Sequence, residues 1–273
     1  MRPILLAGLA LTGCAGAEAM SLPQQPAAMP VVETTTSELG FYPGETMAFE
    51  VKLAGMTAGE AQLAVGAVGE SNGRKALVVT SRAETAGAAK LLKSITDEAT
   101  TIIDVETGRP LQLDTQVTMN DKVSTATAKF TGSTTDVTYT KPGETAQHTY
   151  HADFGKVIVF DSHSAMAQLR GWHAKPGTTK QVFVVGGRRL WRVDVHFIAT
   201  ETIGSALGNR ASVHLTGEAY RVKPNLATEQ PNAKAARTFD VWISDDNDRV
   251  PLKMTAKTEL GDVEMDLTDY NRP

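Results

Sequence analysis

The sequence predicts an all-β protein, mainly antiparallel, whose strands form a strongly curved sheet or a partly open barrel with one packing helix. Apolar and polar residues alternate with a period of two along many segments, as in residues 47–53, where the odd positions are apolar. Turn-forming residues separate these segments. Thr, Val, Ala and Gly are abundant and aromatic residues make up 6% of the chain, which suits a β protein with a core of modest side chains.

The first half of the chain is read as strands joined by turns. The candidate segments are residues 47–53, 61–65, 76–81, 98–104, 111–118, 122–131, 135–140 and 146–150. Turns are expected at residues 55–59 and 70–73 because both stretches are rich in turn-forming residues. Residues 86–95 fit a short helix or a broken strand equally well.

The clearest helix is predicted at residues 162–172. Asp161 or Ser162 can serve as its N-cap, and Ala165 and Leu169 fall at helical spacing. A Pro-Gly pair ends the segment. The helix is expected to pack on the sheet.

A second set of strands follows the helix. The candidate segments are residues 181–185, 190–199, 211–222, 237–244, 250–258 and 263–270. Gly186 and Gly187 suit the positive φ of a hairpin turn, and residues 223–234 read as a loop. We expect about twelve of all the candidate segments to form strands, in one curved sheet or barrel.

The N-terminus carries the pattern of a bacterial lipoprotein precursor. Cys14 is the only cysteine, and Leu-Thr-Gly precedes it behind an apolar run at residues 4–11. About eight apolar residues are too few to span a membrane, which needs roughly 20. We expect the Cys14 thiol to be alkylated with diacylglycerol, after which the chain is cut so that Cys14 becomes the new N-terminus. The alternative is an ordinary secretory signal peptide cut elsewhere.

Three regions follow from this reading. Residues 1–13 are the signal peptide, residues 14–38 a lipidated disordered tether, and residues 39–273 the β domain. As a flexible coil the tether would span roughly 25–30 Å; the alternative is a strand at residues 31–36. Alanine rather than aspartate follows the cysteine, so the expected location is the cell envelope, at the periplasmic face of the outer membrane.

Three groups of segments together resemble a family of exported bacterial proteins. They are residues 42–46 (YPGET) with 55–61 (GMTAGEA); residues 161–165 (DSHSA) running through 169–170 (LR) to 176–177 (PG); and residues 241–246 (VWISDD) with 249–252 (RVPL) and 261–263 (GDV). In the order and spacing of these segments, the chain resembles the DUF3108 family over about residues 41–270. The resemblance implies an envelope β protein and assigns no catalytic residue. By analogy of fold alone, it suggests a lipoprotein-carrier barrel.

Motifs for catalysis or metal binding are weak. Residues 69–73 match G-x-S-x-G, but a nucleophile elbow needs a helix after the turn, and a strand is predicted there. The acidic residues 245–248 lack the glycine and glutamate of a calcium loop. The six histidines show no third ligand at metal-binding spacing. The sequence therefore predicts no metal, no cofactor and no catalytic residue.

Four residues are candidates for ligand contact. Arg170 could bind a lipid phosphate or an acidic sugar at the mouth of a cavity, since its planar fork grips phosphate. Trp172, Trp191 and Trp242 could line an apolar site. The alternative for Arg170 is an ion pair with a strand carboxylate. For the tryptophans it is packing in the core or at its rim.

The function expected from these features is that of a non-enzymatic envelope lipoprotein that binds a lipid or another amphipathic ligand in its curved sheet. The alternative is an interaction module that docks an envelope protein, and an enzyme acting on an envelope polymer ranks third. The partners expected are the membrane, through the N-terminal lipid, and this ligand or protein. The net charge of −4 argues against a nucleic-acid partner.

Overall fold

A computed structural model describes residues 39–155, 157–223, 237–258 and 261–273. The predicted signal peptide, lipidation site and tether lie outside these residues, as does most of the loop expected at residues 223–234. The described chain forms one 15-stranded sheet. The predicted β-rich fold is confirmed, with more strands than expected.

The strands follow one another along the chain and are interrupted by two helices. In order they are β1 (Thr46–Leu53), β2 (Met56–Ser71), β3 (Arg74–Thr85), α1 (Gly87–Leu92), β4 (Ile95–Asp104), β5 (Pro110–Met119), β6 (Lys122–Thr131), β7 (Thr134–Thr140), β8 (Gln147–Asp153), β9 (Val159–Asp161), α2 (Ser162–Arg170), β10 (Thr179–Gly186), β11 (Arg189–Ser205), β12 (Gly208–Val222), β13 (Arg237–Ser244), β14 (Pro251–Thr258) and β15 (Gly261–Asn271).

The sheet is built from two meanders joined by the first and last strands. β1 to β8 pair in sequence order, β10 to β15 do the same, and β15 pairs antiparallel with β1. β9 joins the second meander by parallel pairing with β10. The two edge strands, β8 and β9, are neighbours along the chain, which fits a barrel that is nearly but not fully closed.

Side-chain packing brings the two edges of the sheet together. One apolar cluster combines β5 to β8 with the segment from Phe154 through β9 and on to β12. Its buried members are Leu113, Ala128, Val137, Ala152, Phe154, Val159, Phe183, Val185, Leu190 and Val222. Among the described residues no strand pairing joins β8 to β9, so burial of apolar surface holds the open side of the barrel together.

The first hairpin turn differs from the prediction. The turn expected at residues 55–59 is wrong, because Ala54 and Gly55 alone reverse the chain with φ values of 49° and 80°, and β2 begins directly at Met56. Two residues with positive φ match the twist of a hairpin. The G-x-S-x-G stretch is likewise a hairpin turn, with Asn72 and Gly73 at φ values of 50° and 76°, as predicted.

The two helices lie in different surroundings. α1 covers part of the segment that sequence could not assign, and its Leu91 side chain is 89% exposed. α2 runs inside the barrel, and all its residues except Ser162 are buried. In the part of the chain that the structure describes, no helix is long and apolar enough to cross a membrane.

Candidate functional site

The start of α2 is fixed by a capping box inside the barrel. The Asp161 carboxylate accepts hydrogen bonds from the backbone N–H groups of His163 and Ser164, at 3.2 and 3.0 Å. In return, the backbone N–H of Asp161 donates to the Ser164 hydroxyl at 2.9 Å. These bonds satisfy donors that the first helical turn leaves free. Of the two N-caps that the sequence allows, Asp161 and Ser162, the structure has Asp161.

The cap places His163 in a polar network that spans the barrel interior. Its Nε2 lies 2.9 Å from Oγ of Ser81 on β3, and its Nδ1 lies 2.7 Å from Oγ1 of Thr101 on β4. The Thr101 hydroxyl also contacts Oδ2 of Asp161. The direct separation from His163 Nδ1 to Asp161 Oδ2 is 3.9 Å, too long for a hydrogen bond, so Thr101 links the two side chains.

The partners of this network assign its protons. The Asp161 carboxylate accepts hydrogen bonds from the backbone N–H groups of His163 and Ser164 and from the hydroxyls of Ser164 and Thr101. Thr101 Oγ1 then accepts from Nδ1–H of His163, which leaves Nε2 to accept from the hydroxyl of Ser81. Burial lowers the pKa of His163, against the opposing effect of Asp161, and so favours the neutral imidazole.

Ser81 and His163 lie beside each other in the lining of a largely apolar cavity between α2 and the sheet, whose other polar lining residues are Gln62, Arg82 and Ser162. The cavity volume is about 50 Å³, and it is partly open to solvent. Its large apolar lining residues are Phe41, Met47, Phe49, Leu63, Met166, Met254 and Met265. The site therefore combines an adaptable apolar surface with a hydroxyl and an imidazole at one wall.

The far end of α2 is held by a buried ion pair. The Arg170 guanidinium binds the Glu45 carboxylate through two nitrogens, at 2.6 and 2.9 Å, and both side chains are 0% exposed. Arg170 also donates to the backbone oxygens of Asp248 and Arg249. Glu45 directly precedes β1, so Arg170 forms the ion pair that was the alternative to phosphate binding. All three guanidinium nitrogens of Arg170 donate to groups inside the protein.

The three tryptophans that sequence proposed for ligand contact have different surroundings. Trp191 is fully buried in the core formed by β10 to β13. Trp172 is half-buried just after α2, with the Lys180 amine 5.8 Å from its ring centroid. Trp242 stacks on His214 and donates to Glu201. None of the three lines the cavity. That they contact a ligand stays a prediction, as does the lipidation of Cys14.

Sequence reasoning assigned no role to Ser81, although the alternation of β3 contains a signal. Leu77, Val79 and Ala83 face the interior, and Ser81 occupies the inward position between Val79 and Ala83. A hydroxyl at an inward strand position needs a partner there, since a buried polar group without one is costly. That partner is on α2 and could not be identified from the strand alone.

The carboxyl group of Asp97 is also inside the barrel, but one of its oxygens has no hydrogen-bond partner among the described residues. Asp97 occupies an inward position of β4, opposite Ala83 on β3, and the oxygen in question is Oδ2, which is buried. Burial raises the pKa of Asp97 to about 8, with a smaller effect from Glu98. The described residues hold no group of three or more His, Cys, Asp or Glu side chains placed to bind a metal ion.

Comparison with known proteins gives a family and a fold. The model of a family described as "Protein of unknown function (DUF3108)" matches residues 48–268. No curated protein matches the chain in sequence. A beta-barrel-like protein of domain of unknown function DUF1849 from Brucella abortus is similar in structure, with a TM-score of 0.59 and 10% identity over 85% of this chain and 98% of that one.

Two further solved structures have lower similarity. A Bacteroides fragilis protein with a YmcC-like fold has a TM-score of 0.36 and 10% identity, over 85% of this chain and 99% of that one. The hypothetical lipoprotein YmcC from Escherichia coli has a TM-score of 0.28 and 11% identity, over 83% and 87%. The similarity to the Brucella protein supports the barrel-like fold and says nothing of a ligand.

Proposed function

The chain belongs to the DUF3108 family of proteins of unknown function, and we propose that it is a lipid-anchored cell-envelope protein that binds an acyl chain or another amphipathic ligand. The observation that carries this proposal is the cavity between α2 and the sheet, with its largely apolar lining and a few polar side chains. Ligand sites of this kind are mostly apolar, with a few polar groups that set orientation.

The size and lining of the cavity define what it would hold. A cavity needs roughly 10–15 Å³ of such volume for each water-sized group, so about 50 Å³ accommodates a short segment of an acyl chain rather than a whole lipid. The opening to solvent lets the remainder of a longer ligand lie outside. Four methionines line the cavity, and their flexible thioethers adapt to ligands of different shape.

The proposed anchor predicts a clear result for Cys14. Replacing Cys14 with serine should abolish incorporation of labelled palmitate and move the protein out of the outer-membrane fraction, because the thiol that carries the diacylglycerol is gone. The measurement is metabolic labelling followed by membrane fractionation. Palmitate incorporation into the Cys14→Ser variant would contradict lipidation at this residue.

Filling the cavity should remove the ligand without harming the fold. Residues 30–273, secreted without the lipid anchor, would be purified gently and compared by native and denaturing mass spectrometry. We expect a bound lipid that is lost on denaturation. Ala61 lines the cavity and is 5% exposed, so Ala61→Leu should abolish this added mass while raising the free energy of unfolding by about 0.5–2 kcal/mol.

The control lies three residues further along the same strand. Ala64 points to solvent, and Ala64→Leu introduces the same side chain without entering the cavity, so this variant should retain the ligand. Retention of the lipid by Ala61→Leu at the wild-type level would place the ligand elsewhere. A wild-type protein with no added mass would count against the binding role.

That last outcome would favour the second candidate function, docking of an envelope protein. The observation behind it is a pair of exposed apolar side chains at one end of the barrel. Met56, at the start of β2, is 72% exposed and Leu91 of α1 is 89% exposed. α1 packs against β2, and exposed apolar side chains mark an interaction site where they form a contiguous patch.

A further inference from the structure

The pair of Ser81 and His163 in the cavity lining has the arrangement of an activated nucleophile. Ser81 Oγ donates to Nε2 of a neutral histidine at 2.9 Å, within the range for a serine and its general base. Ser81 is partly exposed and His163 is 4% exposed, and both side chains line the cavity. A ligand in the cavity can therefore reach the Ser81 hydroxyl, with the imidazole directly beside it.

The orientation of the imidazole is fixed from its other side. Nδ1 of His163 is 2.7 Å from Thr101, which in turn contacts the fully buried carboxylate of Asp161. This holds the proton on Nδ1 and the lone pair of Nε2 toward Ser81, the tautomer that a general base needs. A carboxylate relayed through a hydroxyl stabilises the imidazolium that forms when Nε2 takes a proton.

We propose that Ser81 is a nucleophile and His163 its general base, and that the site transfers the acyl group of an ester bound in the cavity to Ser81. The proposal rests on the cavity of the proposed function for its substrate class, and goes beyond it by adding a covalent step. It also departs from the sequence-based expectation of a protein without catalytic residues, because the two side chains are 82 residues apart along the chain.

The chemistry balances with water as the only co-reactant. Ser81 Oγ attacks the ester carbonyl carbon while its proton passes to His163 Nε2. The tetrahedral intermediate collapses, the bond to the alcohol oxygen breaks, and His163 returns the proton to the departing alkoxide. Water then attacks the acyl-serine with His163 taking its proton; the carboxylic acid leaves and Ser81 recovers its hydroxyl proton.

A structural role for the same residues makes a different prediction. If the network only held α2 in place, Ser81 would react with electrophiles no faster than a serine in an unfolded chain. A general base contributes about 10²–10⁴-fold to the rate. The reactivity of Ser81 in the folded protein, relative to the urea-unfolded protein, therefore separates the two roles.

The test is covalent labelling of the full-length protein with a biotinylated alkyl fluorophosphonate, with the labelled residue mapped by peptide mass spectrometry. We expect labelling at Ser81, at least about 100-fold faster than in the unfolded chain, and hydrolysis of p-nitrophenyl butyrate that labelling blocks. Ser81→Ala should lose both signals. Ser71→Ala, which changes the hairpin serine of the G-x-S-x-G stretch, should leave both unchanged.

His163→Asn tests the base and should slow labelling about 100-fold or more. If this buried substitution prevents folding, the comparison of folded wild type, unfolded wild type and Ser81→Ala still decides. No labelling, labelling at another residue, or an unchanged rate in folded His163→Asn would overturn the proposal. If the protein retains a lipid but Ser81 is not labelled, the binding function stands and the nucleophilic role of Ser81 is wrong. If Ser81 is labelled but no lipid is retained, the nucleophilic role stands without the binding function.

Discussion

Replacing Glu45 with glutamine should lower the free energy of unfolding by about 3–5 kcal/mol, because it leaves the Arg170 guanidinium buried without its countercharge. Both side chains are 0% exposed and are joined by two hydrogen bonds. Glutamine keeps the shape of glutamate, so the change is one of charge and not of volume. Equilibrium urea unfolding measures the difference.

A surface pair provides the matched control. Lys253 Nζ lies 2.5 Å from Oε2 of Glu264, whose Oε1 is 3.6 Å from Lys52 Nζ, but all three side chains are about one-third exposed, at 30%, 32% and 27%. Glu264→Gln should cost about 1 kcal/mol or less, since water screens an exposed pair. If Glu45→Gln cost no more than this control, the buried pair would not be the stabilising feature described above.

A double substitution separates the pair from its surroundings. Glu45→Leu with Arg170→Met should recover part of the loss, because an apolar pair of similar volume often replaces a buried ion pair without cost. Recovery should be incomplete, since Arg170 also donates to the carbonyls of Asp248 and Arg249. A double-mutant cycle measures the coupling.

Asp97 should make the protein less stable as the pH rises from about 4 to about 8. Its pKa is raised from 3.8 to about 8 in the folded state by burial. Between these values the native state holds a proton that the unfolded state releases, so stability falls with rising pH and levels off above about 8. At 1.4 kcal/mol per pH unit, the total effect is of the order of 5 kcal/mol.

The Asp97→Asn variant isolates this contribution. The difference in unfolding free energy between variant and wild type should be constant below pH 4, grow in favour of the variant up to about pH 8, and be constant above it. If the buried asparagine amide itself changes the free energy of unfolding, it does so equally at every pH, so the difference curve is displaced but keeps its shape. A flat difference for Asp97→Asn would show that its carboxyl titrates normally.

Local patterns were sufficient to predict much of the fold. Alternation identified most strands because one face of each meets the core, as in β1, where Met47, Phe49 and Val51 are buried. The N-cap at Asp161 placed the start of α2. β9 was missed since three residues are too few to show alternation, and it pairs in parallel across the helix.

The candidate site could not be predicted in the same way because its contacts are distant along the chain. α2 carries histidine, glutamine and arginine, residue types that normally face water. His163 and Arg170 are buried here with partners from distant parts of the chain: Ser81 lies 82 residues from His163, and Glu45 lies 125 residues from Arg170. The sequence around Ser81 or Glu45 does not indicate which distant residue will be its hydrogen-bond partner.

The pairing of β1 with β15 also sets the order in which the protein can assemble. Every other antiparallel pair joins strands that are consecutive in the chain and can form as soon as both have been synthesised, but this pair joins the first strand to the last. Bringing such distant segments together carries a large loop-closure cost and belongs to the late steps of folding. Met47 and Met265, on these two strands, both line the cavity. A chain without β15 therefore lacks part of the cavity lining, and the proposed ligand site would be complete only after the whole chain has folded.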